Sequence, residues 1–167
     1  MDKNTIIKKV QKNSLLRALD QASLERLVDA ADVIAFRAGD LIIREDDINP
    51  NIFFIVSGTV NIDVSGKEKE VYLCSMGAGE FVGEAGIFLA LKRNANVKAA
   101  SESLLLRFSR ENFHAFLREK PAAGIKVLMI IIYSLLKKLS TANSELAFER
   151  QFDISQDDVD EIIRNFL

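Results

Sequence analysis

From Asp32 to Phe108 the chain never sustains an apolar pattern for long before a turn residue interrupts it. The runs at 33–36, 40–44, 52–56, 59–64, 71–76, 96–99 and 104–108 are rich in β-branched, aromatic and other apolar residues. Between them stand Gly39, Asp46-Asp47, Asn49-Pro50, Ser57-Gly58 and Ser65-Gly66. Glycine reaches positive φ without strain, Asn and Asp fold back on their own backbone, and Pro fixes φ while removing a donor. Each interruption therefore reverses the chain instead of extending it. Short strands at this spacing close into a sandwich or a roll.

Outside that region the spacing turns helical. Leu15, Leu16, Leu19, Leu24, Leu27 and Val28 recur at threes and fours, broken near Asp20 to Ser23, which predicts two short helices with Ser23 as the cap of the second. After Phe108, Ser109 is the expected cap of a helix running through Glu111, Phe113, Phe116 and Leu117 and ending at Pro121. The segment 125–139, IKVLMIIIYSLLKKL, is apolar on nearly every face, yet it is shorter than the roughly 20 residues a bilayer span needs. A helix of this kind must be covered on two sides. Leu128, Ile132, Leu135, Leu139, Ala142 and Leu146 step by four and three, the spacing of a coiled-coil seam, so a homodimer through helix 125–146 is expected. Cover by the chain's own terminal helices is the alternative. The last stretch has Ser155 as a cap and Val159, Ile162, Ile163 and Phe166 on one face, predicting a short amphipathic helix.

Composition excludes several function classes. Lys and Arg number 22 against 24 Asp and Glu, a net charge of -2, so no overall electrostatic footprint for nucleic acid or an anionic membrane is expected. One cysteine, Cys74, cannot form an internal disulfide, and MDKNTIIKKV lacks the apolar core of a signal peptide; both predict a cytoplasmic protein. Cys74 lies in an alternating strand and is expected to be buried and inert. His114 is the single histidine, which speaks against a metal site and against Ser/His/Asp catalysis. No enzyme, no cofactor and no metal are expected.

The chemistry concentrates in 77–99, GAGEFVGEAGIFLALKRNANVKA. Gly77, Gly79 and Gly83 let backbone approach a ligand and turn N–H groups toward an anion. The segment from Ala85 to Leu91 has room for a turn or two of helix, whose first amides add to such a site. Arg93 brings a planar donor fork suited to phosphate. Glu84 is an acceptor that repels phosphate, so beside an anion cradle it suits a sugar hydroxyl on the same ligand. An anionic group plus a hydroxyl describes a nucleotide-like ligand.

This stretch resembles the phosphate-binding cassette of the cyclic-nucleotide-binding domain family, in which a Phe-Gly-Glu motif, an apolar spacer, an Arg, small residues and a strand follow one another. Gly83, Glu84, Arg93, Asn94, Ala95 and Val97 match it with the Glu-to-Arg spacing kept; Val82, Lys92 and Asn94 depart from it. FRAGDLIIREDD and FFIVSGTVNIDV are similar to the family's preceding strand pairs, with Asp46 where Gly is usual. The resemblance implies an α+β fold: an antiparallel β-roll of the double-stranded β-helix, or jelly-roll, type. It would form a single domain with N-terminal helices in 1–31, the roll in 32–108, the cassette in 77–99 and C-terminal helices in 109–167. It also implies a stand-alone receptor for a cyclic nucleotide, cyclic AMP ahead of cyclic GMP, signalling through its C-terminal helices to an unidentified downstream protein. The ligand contacts it implies are Gly83, Glu84, Ala85, Arg93, Asn94 and Ala95, with Thr141, Asn143 and Ser144 for the base. A complete DNA-binding domain after the long helix, as in the family's transcription factors, is not expected. A roll that has lost its ligand and works as an interaction module is the alternative.

Overall fold

The structure is a computed structural model that describes residues 2–12, 16, 19–66, 69–89 and 91–151, the side chains of 145 and 147–151 excepted. In chain order the elements are α1 (Lys3–Gln11), α2 (Gln21–Asp29), β1 (Asp32–Phe36), β2 (Leu41–Ile43), β3 (Ile52–Ser57) and β4 (Thr59–Ser65). They continue with β5 (Glu70–Gly77), β6 (Phe81–Val82), α3 (Glu84–Phe88), β7 (Asn96–Ala99), β8 (Ser103–Phe108), α4 (Arg110–Glu119) and α5 (Pro121–Gln151). The strands form two four-stranded antiparallel sheets, ordered β1-β8-β3-β6 and β2-β7-β4-β5. This is the expected antiparallel β-roll with flanking helices.

Strands β3 and β8 are apolar on both faces, and their alternation sorts the side chains into two cores. Ile52, Phe54 and Val56 join Leu104, Leu106 and Phe108 in a cluster with Ile6, Ile7, Leu24, Leu27, Phe113, Phe116 and Val127 from the helices. Phe53, Ile55 and Leu105 face the other way, into a cluster with Ile43, Val60, Met76 and Val97 from the second sheet. A one-residue slip of β3 against β8 would exchange the two sets, so the register, Phe54 opposite Leu106, is strongly specified.

The strands lie within a residue or so of their expected bounds, but β6 was not foreseen: two residues are too few to show alternation, and only pairing of Phe53 with Val82 and Phe54 with Phe81 makes them a strand. The cap of α2 is Asp20 instead of Ser23. Its carboxylate accepts from the Ser23 amide at 2.8 Å and from the Ser23 hydroxyl at 2.9 Å, so the serine is a donor to the cap. Hydrogen bonding to the ionised form holds the Asp20 carboxyl below its ordinary value. Cys74 is half-buried, not buried. Leu15 and the expected helix from Ser155 to Phe166 lie outside the described residues.

Contacts divide the chain into two units, 1–131 and 132–167. Within the first, Val127, Ile130 and Ile131 of α5 enter the helical core and Leu128 packs half-buried against it, while Ile125 and Met129 are exposed. Within the second, Ile132, Tyr133, Leu135, Leu136, Leu139 and Leu146 are all exposed. No helix among the described residues is long and apolar enough to cross a membrane.

Ser109 caps α4 as expected, its hydroxyl accepting from the Asn112 amide at 3.1 Å. Ser109→Ala should lower the unfolding free energy by about 1 kcal/mol. The readout is a lower urea midpoint at unchanged slope, and Ser109→Asp should keep the midpoint near wild type.

Candidate functional site

The site is built by three chain segments that the sheets bring together: the turn at 46–51, the start of α3, and the approach to β7. Gly83 enters α3 with φ 80°, in the left-handed region, where a Cβ would stand 2.9 Å from Ile43 Cδ1, 3.1 Å from Arg93 Nη1 and 3.2 Å from the Asn51 carbonyl. Only glycine meets both demands. Ile87 anchors α3 in the helical core, and Phe88 meets Phe113 edge to face with ring centroids 6.4 Å apart.

Arg93 is the organising side chain. It is 5% exposed, with Nη1 donating to the Gly83 carbonyl at 2.7 Å and Nη2 donating to the Asn51 carbonyl. Its Nε is buried and has no acceptor among the described residues. The backbone on which it stands is pinned as well: the Arg93 amide donates to the Asp47 carbonyl and the Asp46 amide to the Arg93 carbonyl, each at 2.9 Å. Asp46 takes φ 65°, the positive-φ position among non-glycine described residues, so the turn where the family usually has Gly keeps the left-handed shape with an aspartate, without the local difference its sequence suggested. Burial pushes the Arg93 guanidinium below its ordinary value and the Glu84 carboxylate pulls it back. Glu84 itself is 6% exposed and begins α3, where a negative charge suits the positive end of the helix.

Two sequence expectations change on this geometry. Arg93 is not a fork held open for an anion: two of its donors are engaged by carbonyls of its own cradle, because a buried guanidinium must satisfy its donors locally. Nor do Gly77 and Gly79 offer free amides. The Gly77 amide donates to the Glu80 carboxylate at 2.7 Å and the Gly79 amide to the Ile55 carbonyl at 2.8 Å, with Ile55 donating back to the Glu80 carbonyl at 3.0 Å. These glycines make a turn sewn to β3, and Glu80 closes it.

Gly83, Glu84 and Arg93 are thus brought together, with Ala85 exposed on the first turn of α3 and Asn94, exposed, and Ala95, half-buried, leading into β7. Thr141, Asn143 and Ser144 are exposed on α5 in the second unit. The Thr141 and Ser144 hydroxyls donate to the carbonyls four residues back, of Lys137 and Ser140, at 3.1 and 3.0 Å.

Sequence reasoning missed the supporting residues. Asn51 supplies only a carbonyl, which no side-chain pattern reveals. Asn96, 8% exposed, fixes the start of β7: its carbonyl oxygen accepts from the Glu45 amide at 2.9 Å and its amide donates to Asp63 at 3.2 Å. Arg110 donates from Nη2 to the Gly86 carbonyl at 2.8 Å and to the Leu89 carbonyl at 3.2 Å. The available signal for Asn96 was a polar pair, Asp63 and Asn96, inside two strands; for Arg110 it was a cation in the first turn of a helix. Among the described residues no group of His, Cys, Asp and Glu could hold a metal ion.

Comparison with known proteins gives the same outline. The model of the cyclic nucleotide-binding domain matches residues 33–120 of the 167. Among curated proteins, mouse potassium/sodium hyperpolarization-activated cyclic nucleotide-gated channel 2 is 31% identical over 120 residues, which is 72% of this chain and 13% of that protein. The chain therefore spans a small fraction of this relative's length. Among solved structures, a cyclic nucleotide-binding domain from Methylobacillus flagellatus superposes with TM-score 0.68 at 23% identity, covering 89% of this chain and 81% of that one. The c-di-GMP responsive global regulator CLP of Xanthomonas campestris gives TM-score 0.73 at 22% identity, covering 88% and 70%. At these identities the structural likenesses concern the fold.

Gly86 probes the cradle without replacing a charged residue: an added Cβ would press on the Arg93 guanidinium, Nη1 first. A Cβ there would lie 2.6 Å from Arg93 Cζ and 2.6 Å from the Asn49 carbonyl. Gly86→Ala should therefore cost on the order of 1–3 kcal/mol in urea titrations, the usual range for overpacking. In an Arg93→Ala background the cost should shrink, since only the Asn49 carbonyl is left to meet; an equal cost in both would mean that the guanidinium does not press on Gly86.

Proposed function

The chain belongs to the cyclic nucleotide-binding domain family, and from that premise we propose that it is a regulatory receptor for a cyclic nucleotide, cyclic AMP ahead of cyclic GMP. One observation carries this reading: the buried guanidinium of Arg93, beside buried Glu84, has an Nε–H without an acceptor among the described residues. An unpaired buried donor on a cation is costly, and a phosphate oxygen is the acceptor that a guanidinium takes best. Its engagement by the Gly83 and Asn51 carbonyls holds the charge ready, and binding exchanges neutral acceptors for an anionic one. Glu84 then accepts from the ribose hydroxyl, and the first-turn amides of Glu84 and Ala85 face the phosphate. The proposal extends to Asn94 and Ala95 beside the phosphate and, by the family resemblance and not by a distance, to Thr141, Asn143 and Ser144 at the base.

Titration calorimetry of nucleotide-stripped protein with cyclic AMP, cyclic GMP and c-di-GMP tests it. Saturable binding of cyclic AMP supports the receptor, tighter cyclic GMP or c-di-GMP overturns the ligand choice, and no binding of any favours the interaction module. Arg93→Leu should weaken cyclic AMP by about 3–5 kcal/mol, the cost of removing one member of a desolvated charge pair, and Arg93→Lys by less, since charge returns without the planar fork. Glu84→Ala should cost about 1.5–3 kcal/mol with cyclic AMP and almost nothing with its 2′-deoxy analogue; equal losses would remove the ribose role.

The proposal includes a homodimer through α5. Its support is the exposed row Ile132, Leu135, Leu139 and Leu146, spaced by three, four and seven on one helix. Sedimentation should give a dimer for the wild type and a monomer for Leu139→Glu; a monomeric wild type removes the dimer and leaves the receptor reading intact.

A further inference from the structure

Arg110 is placed against its own helix. It is the first residue of α4, where the unpaired amides give the helix its positive end, and a cation there is unfavourable. Asp, Glu or a neutral residue would serve α4 better, and the Ser109 cap already fixes how that helix starts. What the guanidinium serves is α3. The Leu89 amide donates to the Ala85 carbonyl at 2.8 Å at the end of α3, and the carbonyls of a last helical turn call for donors from outside the helix. Nη2 of Arg110 takes two of them, Gly86 and Leu89, across a sequence separation of 24 and 21 residues.

Gly86 is held from two sides. Its carbonyl accepts from Arg110, while its Cα is in contact with the Arg93 guanidinium, as the space a Cβ would need makes plain. Both arginines have a buried Nε without an acceptor among the described residues. Three residues along α4, and so on the same face, Phe113 meets Phe88. Any displacement of α3 must therefore drag α4 through this pair of contacts or break the bonds to Arg110.

We infer that Arg110 is a positioning residue of the nucleotide site: by holding the Gly86 and Leu89 carbonyls it sets where α3 presents its first turn to a phosphate beside Arg93, and it couples occupancy of that site to α4. This rests on the receptor reading above. A ligand shifts a population only through different affinity for its states, and a charge-assisted bond that fastens α3 to α4 makes any shift of α3 on binding a change in the hold on α4 as well.

The experiment uses the full chain as wild type, Arg110→Gln and Arg110→Lys, each stripped of nucleotide, then titrated with cyclic AMP and followed by hydrogen exchange with and without saturating ligand. For the wild type, cyclic AMP should slow exchange both over 83–95 and over 109–119. Arg110→Gln should bind about tenfold more weakly, the loss expected for charge-assisted bonds to carbonyls. At saturation it should keep protection over 83–95 while losing most of it over 109–119. Arg110→Lys, which returns a cation able to reach one carbonyl, should recover part of the affinity and of the α4 protection. A residue with a merely structural role would lower the urea midpoint and leave the ligand-induced change over 109–119 at the wild-type size; that result overturns the inference and leaves the receptor standing. Should Arg110→Gln not fold, the lysine variant decides alone: intermediate protection over 109–119 supports the coupling and full wild-type protection overturns it. A wild type that binds no cyclic nucleotide takes the receptor and this inference down together.

Discussion

A guanidinium kept almost entirely out of water is the constraint on which the rest of the site depends. Desolvating a charge is expensive, and Arg93 is tolerable only because carbonyls from Gly83 and Asn51 and the carboxylate of Glu84 surround it. Those groups come from parts of the chain far apart in sequence, so each must be delivered by an element whose position is fixed for other reasons. The turn at Asp46 and Asp47 pins the Arg93 backbone by reciprocal hydrogen bonds, and the turn in front of β3 supplies Asn51. Left-handed backbone at Asp46 is the strain this convergence requires, while Gly83 takes the same region without it.

The two cores explain how such delivery is possible. Val82 and Val97, on either side of the site, belong to the cluster between the sheets, together with Ile43. Ile87, in α3, belongs instead to the cluster under the helices. The site therefore straddles a seam: Arg93 follows the second sheet, and α3 follows the helical layer. Close-packed interiors shift in discrete steps, which makes a seam between two such bodies a natural place for a ligand to act. The β-roll supplies rigidity, and α3, five residues long with exposed Phe88 and Leu89 at its end, lies at that seam.

Helix α5 poses the opposite problem. In its first unit it contributes Val127, Ile130 and Ile131 to the core, while in the second a row of leucines, an isoleucine and a tyrosine stands in solvent. Exposed apolar side chains in this number along one helix are what the proposed homodimer would cover.

The sequence by itself limited the fold to a sandwich or a roll, because strand-length apolar runs between turn residues admit few other folds, and the family resemblance of 77–99 chose the roll; the positions of β3, β7 and β8 could be read almost to the residue. It marked the place of the candidate site too: glycines, Glu84 and Arg93 at their spacing single out 77–99 without any structure. Both are local properties, written in neighbouring residues. Only the tertiary structure decided what those residues touch. That Gly77 and Gly79 spend their amides on Glu80 and Ile55, that Arg93 is closed onto Gly83 and Asn51, and that Asp20 takes the capping role from Ser23 depend on which groups folding brings within 3 Å. The same holds for β6, which exists only through its pairing with β3, and for Arg110, whose charge looks misplaced on α4 until the carbonyls of α3 lie beside it. Hydrogen-bond partners separated by tens of residues leave no periodicity in the chain, since backbone carbonyls are the same at every position and their usefulness is conferred by the fold alone.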